Sequence, residues 1–175
     1  MMTSDALLEK LLRAYEASYD IEQNYEIDGD IYDAYASFNV SNARYVLIKK
    51  AELWRANCFE HVLFCIKETV TEETLNVLRQ KIEDYIEPEL VRGGKKWPEK
   101  DHMYTYITAV YICKDGVSKE AEKAVRKFKY VRNYKFTIRG YSEARILVYD
   151  LKNGRAFGNG AARDLIKGYK KAGLI

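Results

Sequence analysis

Hydrophobic and polar positions along this chain recur with two periods, and the places where the period changes mark out its elements. Over residues 4–19, Leu7, Leu8, Leu11, Leu12, Tyr15 and Tyr19 fall on one side at helical spacing behind Ser4 or Asp5 as a cap, which predicts an amphipathic helix. The acidic stretch from Asp20 to Asp33 has few apolar positions and reads as a solvated linker with a turn at Asp28-Gly29-Asp30. A calcium loop starting at Asp20 would need glycine where Tyr25 stands. Three strand-like runs follow. IYDAYASFNV alternates aromatic with small or polar residues, and Ser41-Asn42-Ala43 then turns into ARYVLIKKAELW. The third run, NCFEHVLFCIKE, is apolar on both faces, as a central strand is.

Thr69 with Glu72 has the spacing of a capping box, and Leu75, Leu78, Ile82, Tyr85 and Ile86 carry a helix up to Pro88. The loop VRGGKKWPEKD then leads into a long strand, HMYTYITAVYIC, which closes at Asp115-Gly116. Ser118 and Lys119 open a helix through about Tyr130, with Ala121, Ala124, Val125, Phe128 and Val131 on its apolar face. KFTIR and EARILVYDL read as two strands around Gly140, and Asn153-Gly154 as a type I′ hairpin returning through RAFG. A last helix over Gly160–Lys171 buries Leu165, Ile166 and Tyr169 and stops at Gly173. The order α-β-β-β-α-β-α-β-β-α predicts an α/β (α+β) fold: one mixed sheet of six or seven strands flanked by four helices.

With 175 residues, 47% of them apolar, and a mean hydropathy of −0.42, the chain has the size of a single domain spanning 1–175 and the composition of a folded one. No run approaches the roughly 18 apolar residues of a spanning helix, so no membrane partner is expected. MMTSDALLEKLL has no basic lead before an apolar run, so no secretion signal is expected either. Cys58, Cys65 and Cys113 each sit in an apolar run, and an odd count suits reduced thiols of a cytoplasmic protein. If one strand holds both Cys58 and Cys65, seven residues apart, they point to opposite faces. The two histidines, His61 and His102, lie in strand-like segments and read as satisfied core or edge residues, and the chain lacks CxxC, HExxH, GxSxG and P-loop patterns. No cofactor is called for by these residues.

Across residues 1–113 the order helix, three strands, helix, strand resembles the core of the restriction-endonuclease-like superfamily. The resemblance implies a divalent-metal site, which that superfamily builds from an Asp on the second strand and an (Asp/Glu)-x-Lys on the third. Here the third strand offers Glu60-His61-Val62, and the second ends Lys49-Lys50-Ala51-Glu52 without the preceding Asp. A relocated site would draw on Glu52, Glu60 and Lys50, two carboxylates holding magnesium and a lysine steadying hydroxide or phosphate. This defines an alternative reading: a divergent metal-dependent nuclease.

The charge distribution points elsewhere. Residues 1–90 carry 9 Lys and Arg against 18 Asp and Glu, and residues 91–175 carry 20 against 8. The halves are thus −9 and +12, summing to the net +3. Such asymmetry suggests an acidic partner, nucleic acid among the candidates. Successive helical steps of about 100° put Lys119, Lys123, Arg126 and Tyr130 on one arc opposite the apolar face, flanked by Lys127, Lys129 and Arg132. Lys95, Lys96 and Trp97 sit in the Gly-Gly loop. Cations beside aromatics suit phosphate contact and base stacking, and equally an ordinary solvated face. Gly158–Arg163 sets backbone amides at a helix start, where an anion or simply an Asn/Gly cap would satisfy them. Tyrosine outnumbers phenylalanine 15 to 6, which suits half-buried faces and leaves self-association through a tyrosine-rich surface as a third reading. The leading expectation is a non-enzymatic binding or accessory module with a basic face.

Overall fold

The computed structural model describes residues 2–39 and 57–175. Helix α1 (Ser4–Tyr15) is followed by strands β1 (Asp20–Ile27), β2 (Asp30–Asn39) and β3 (Asn57–Lys67). Helix α2 (Glu72–Lys81) runs on as a π-helix over Ile82–Val91, and β4 (His102–Cys113), α3 (Lys119–Lys127), β5 (Val131–Asn133), β6 (Tyr141–Asp150) and β7 (Arg155–Gly158) come next. A 3₁₀ turn at Gly160–Ala162 leads into α4 (Arg163–Lys171). The seven strands form one mixed sheet in the order β1-β2-β3-β4-β6-β5, with β7 also paired to β6. The expected class is therefore the observed one, with four α-helices around a seven-stranded sheet.

β3, β4 and β6 are mutually parallel, and the crossovers through α2 and α3 both lie over one sheet face. There Leu75, Leu78, Ile82, Ile86, Ala121, Val125 and Phe128 pack on Leu63, Cys65, Ile107, Ala109, Tyr111, Ile146 and Val148. The alternate positions face the other way, as the two-residue period of a strand requires. Val62, Phe64, Val110, Ile112, Leu147 and Tyr149 meet Leu7, Leu11, Leu12 and Tyr15 of α1 and Tyr169 of α4. Covered on both faces, the central strands are largely apolar, with polar exceptions such as Glu60, Thr108 and Arg145 that pair with one another. Cys58 and Cys65 do share β3 and point to opposite faces, and the three cysteines are free thiols.

Several local expectations are revised. Residues 20–33 are not linker: β1 pairs antiparallel with β2, Ile27 opposite Asp30, around a two-residue turn in which Asp28 (φ 47°) and Gly29 (φ 80°) both take positive φ. That is the type I′ geometry an Asp-Gly pair favours. The sequence hid the strand because β1 is an edge whose side chains are mostly solvated. The expected strand at ARYVLIKKAELW and the turn before it lie outside the described residues. The capping box is formed by Thr71 and Thr74 rather than Thr69 and Glu72, and α1 is capped by Thr3. Pro88 does not stop the helix, because the wider π turn carries the backbone past it to Val91.

α3 ends at Lys127, since Phe128 turns to extended geometry (ψ 130°) and its ring drops into the core. Val131, placed by the pattern on that helix's apolar face, instead stands exposed on β5. KFTIR is a turn and not a strand: Lys135, Phe136 and Thr137 have φ of 49°, 54° and 69°. The hairpin at Asn153-Gly154 uses a four-residue loop with only Gly154 at positive φ, so it is not type I′. Among the described residues no helix is long and apolar enough to cross a membrane.

Candidate nucleic-acid interface

The basic residues singled out by the pattern lie along the sheet edge formed by β5 and β7. α3 starts where the Ser118 hydroxyl accepts from the Ala121 amide at 3.1 Å, and it buries Ala121 and Val125. Its opposite face therefore exposes Lys119, Lys123, Arg126 and Lys127, and Lys129 follows on the same side of the chain. Arg126 is engaged: its guanidinium donates to Glu122 at 2.7 Å, and Glu122 also receives Arg155 at 2.5 Å. The Arg126 hydrogen bond, aided by Arg155, holds the Glu122 carboxyl below the ordinary carboxylate range against its partial burial. Lys119, Lys123, Lys127 and Lys129 have no ion-pair partner among the described residues, so none of the described carboxylates neutralises them. Tyr130 does not belong to the stripe. With the helix ended at Lys127, its ring turns inward and is 8% exposed.

Lys95 and Lys96 stand farther along, at the end of the sheet where β4 and β6 begin. Lys95 pairs with Glu99 at 2.7 Å, and the Lys96 ammonium lies 5.6 Å from the Trp97 ring centre. Two contacts anchor this loop. Arg139 donates to the Pro98 carbonyl at 3.1 Å, and Arg92 grips the fully buried Glu87 at 2.7 and 3.1 Å. Glu87 also accepts from the Tyr134 hydroxyl at 2.9 Å and pairs with Arg132 at 3.2 Å. His102 spends both ring nitrogens here, 2.7 Å from the Arg139 carbonyl oxygen and 2.8 Å from the Thr105 hydroxyl, so it has no lone pair to offer a metal. His61 meets the Tyr35 hydroxyl at 2.6 Å through Nδ1. Lys135 also belongs to this end; its place in a turn between β5 and β6 had no signal in a segment that reads as a strand.

Of the alternative catalytic set, Glu52 and Lys50 lie outside the described residues. Glu60 is buried and already committed. Its Oε1 accepts from Thr108 at 2.7 Å and from the Arg145 guanidinium, and its Oε2 from Tyr19 at 2.5 Å. Arg145 also donates to Thr108 at 3.1 Å and lies 3.9 Å from the Tyr106 ring centre. Burial first, then the neighbouring Glu60 charge, pushes the Tyr19 hydroxyl well above its usual range. Sequence reasoning found Glu60 but not Arg145, Thr108 or Tyr19, which converge from β6, β4 and the segment joining α1 to β1. Among the described residues no group of three or more His, Cys, Asp or Glu side chains is placed to hold a metal.

Asn159 caps the 3₁₀ turn that leads into α4. Its Oδ1 accepts from Ile146 and Ala162 amides at 3.0 and 3.2 Å, and its Nδ2 donates to the Ala144 and Phe128 carbonyls at 3.0 and 3.2 Å. Gly158 precedes it because a Cβ there would lie 2.2 Å from the Ile146 carbonyl oxygen. The Asn/Gly cap is thus what this segment builds. Arg163 follows on α4 and extends the basic edge.

The molecule is, by its fold, a mixed α/β sheet protein. The chain belongs to the family described as Domain of unknown function (DUF8052), whose model matches residues 3–171. Comparison with curated proteins and with solved structures finds no match for either.

Proposed function

We propose that the protein is a non-enzymatic binding module whose basic edge engages nucleic acid, in the cytoplasm. The observation that carries this reading is the row of exposed lysines on and after α3, Lys119, Lys123, Lys127 and Lys129, left without ion-pair partners among the described residues. Unspent surface charge of one sign raises the local concentration of an acidic partner and steers its approach. A phosphate backbone is the partner whose repeat matches a row of cations. The engagement of both Glu60 oxygens by Thr108, Arg145 and Tyr19 favours this over a metal-dependent reaction. Three free thiols support the cytoplasmic setting.

The test is fluorescence anisotropy of labelled DNA and RNA oligonucleotides across a salt series. Engagement of the four lysines predicts a log-log salt slope of about −3. Replacing Lys123, Lys127 and Lys129 together with glutamate is expected to abolish binding while leaving the melting temperature within a few degrees, since these side chains are exposed. Binding that ignores salt, or survives the triple replacement, would overturn the proposal.

A further inference from the structure

The turn between β5 and β6 combines two unfavourable features at one place. Lys135, Phe136 and Thr137 are three consecutive non-glycine residues in left-handed backbone, at φ 49°, 54° and 69°. The conformation costs each such residue free energy that ordinary turns avoid. The same turn holds Phe136 96% and Ile138 70% exposed, with Ile31 the three most solvated large apolar side chains among the described residues. Neither feature contributes to the fold, because apolar side chains in water bury nothing.

The turn is nevertheless held firmly. Tyr134, on its near side, is buried and its hydroxyl bonds Glu87 and Ser142 at 2.9 and 2.7 Å. Backbone bonds close it from Arg139 to Tyr134 at 3.1 Å and from Gly140 to Thr137 at 2.9 Å. On its far side Gly140, at φ 73°, presses so close that a Cβ would lie 1.9 Å from the Met103 carbonyl oxygen. Exposed Trp97, Met103 and Val131 stand on the neighbouring loop and strands. The loop and the turn carry Lys96, Lys100 and Lys135 without an ion-pair partner among the described residues, and Arg92, Arg132 and Lys95 paired with Glu87 and Glu99; Glu89, Asp101 and Glu143 are the other carboxylates of these segments. The end of the molecule is thus apolar at its tip and positive around it, and it continues the lysine row of α3 through Lys129 and Arg132.

Resting on the reading of the basic edge above, we infer that Phe136 is a stacking residue for an unpaired base, so that the protein prefers single-stranded nucleic acid. A rigid turn that projects an aromatic ring amid cations matches how single strands are held: lysines track the backbone and rings accept bases. A duplex hides its base faces, and a ring on this turn gains little from it. From Lys119 the chain covers about 12 Å along α3 and about 20 Å more to Asn133 where it runs extended, at about 1.5 Å per helical and 3.3 Å per extended residue, room for several nucleotides.

The experiment compares the whole chain with Phe136→Ala and Phe136→Trp, using labelled single-stranded and duplex oligonucleotides of one sequence and about 12 nucleotides. Phe136→Ala is expected to weaken single-strand binding between five-fold and a hundred-fold and to change duplex binding less than two-fold. Phe136→Trp is expected to retain it. Exposure of the ring means that neither variant disturbs the core, which unchanged melting would verify. Wild-type binding that Phe136→Ala leaves intact overturns this inference and spares the basic edge. No wild-type binding to any oligonucleotide overturns both. Capture by vesicles of anionic lipid that depends on Phe136, without an effect on oligonucleotides, reassigns the tip to a membrane surface and also overturns the inference.

Discussion

Thr137 carries a β-branched side chain at a φ of 69°, a combination that crowds its Cβ against its own carbonyl. Its neighbours in the turn share the conformation, and Gly140 alone has the residue type such backbone prefers. Replacing Thr137 with glycine removes about 1–2 kcal/mol of local strain and adds about 0.5–1 kcal/mol of unfolded-state entropy to be lost. The expected outcome is a net gain of up to about 1.5 kcal/mol, read as a melting temperature up to about 6 °C higher by the scaling of about 2–4 °C per kcal/mol for a chain of this size. A drop in melting temperature would mean that the Thr137 hydroxyl, 2.6 Å from the Phe136 carbonyl, outweighs the strain.

Among elements, the three parallel strands are tied together by more than their ladders. The register puts Thr108 of β4 opposite Arg145 of β6, and Glu60 of β3 opposite Tyr106 of β4. One buried ion pair therefore spans the sheet diagonally, with Tyr19 closing it from the segment joining α1 to β1. Arg145→Met leaves Glu60 buried and unpaired and is expected to cost about 3–5 kcal/mol in urea unfolding. Adding Glu60→Gln to it is expected to recover most of that loss, because the penalty lies in the orphaned charge. Recovery of nothing would show that Arg145 acts through its stacking on Tyr106 instead.

At the scale of the whole molecule, chain order becomes spatial order. β1 is one edge of the sheet and β5 with β7 the other. The two edges differ in charge, with Asp20, Glu22 and Glu26 on β1 and Lys119 to Lys129 beside β5 and β7, while Glu60 and Glu87 of the first half pair with Arg145, Arg92 and Arg132 of the second. A pH dependence follows from the interior. Burial lowers His61 to about 4, against the nearby Glu60 charge, while Tyr35 bonds its ring. An unfolded chain takes up that proton near pH 6.5, before the folded one does. Stability from this group is therefore complete above about pH 6.5 and is lost as the pH falls toward 4. The loss is on the order of 2 kcal/mol once the ring's partial exposure is allowed for, and His102, lowered by its own burial, acts in the same direction. His61→Asn is expected to flatten the slope between pH 6.5 and 4 in denaturation titrations, and an unchanged slope would assign it to other groups.

Features set by near neighbours were legible in the sequence: the amphipathic faces of α1 and α3, the Ser118 cap, the largely apolar β3, the long β4, and the turn at Asp28-Gly29. They rest on side-chain periodicity and on hydrogen bonds a few residues long, which a linear pattern records. The same pattern missed β1, whose polar residues are those of an edge strand paired on one side. Only the tertiary structure decided that Tyr130 turns inward, that Glu60 is answered by Arg145, and that Lys95 and Lys96 join the far end of the α3 row. It also decided that KFTIR is a left-handed turn, closed by the backbone bonds from Arg139 to Tyr134 and from Gly140 to Thr137. Charges meeting across 85 residues of chain, as Glu60 and Arg145 do, leave no period behind, since burial and pairing are settled by what the sheet brings together.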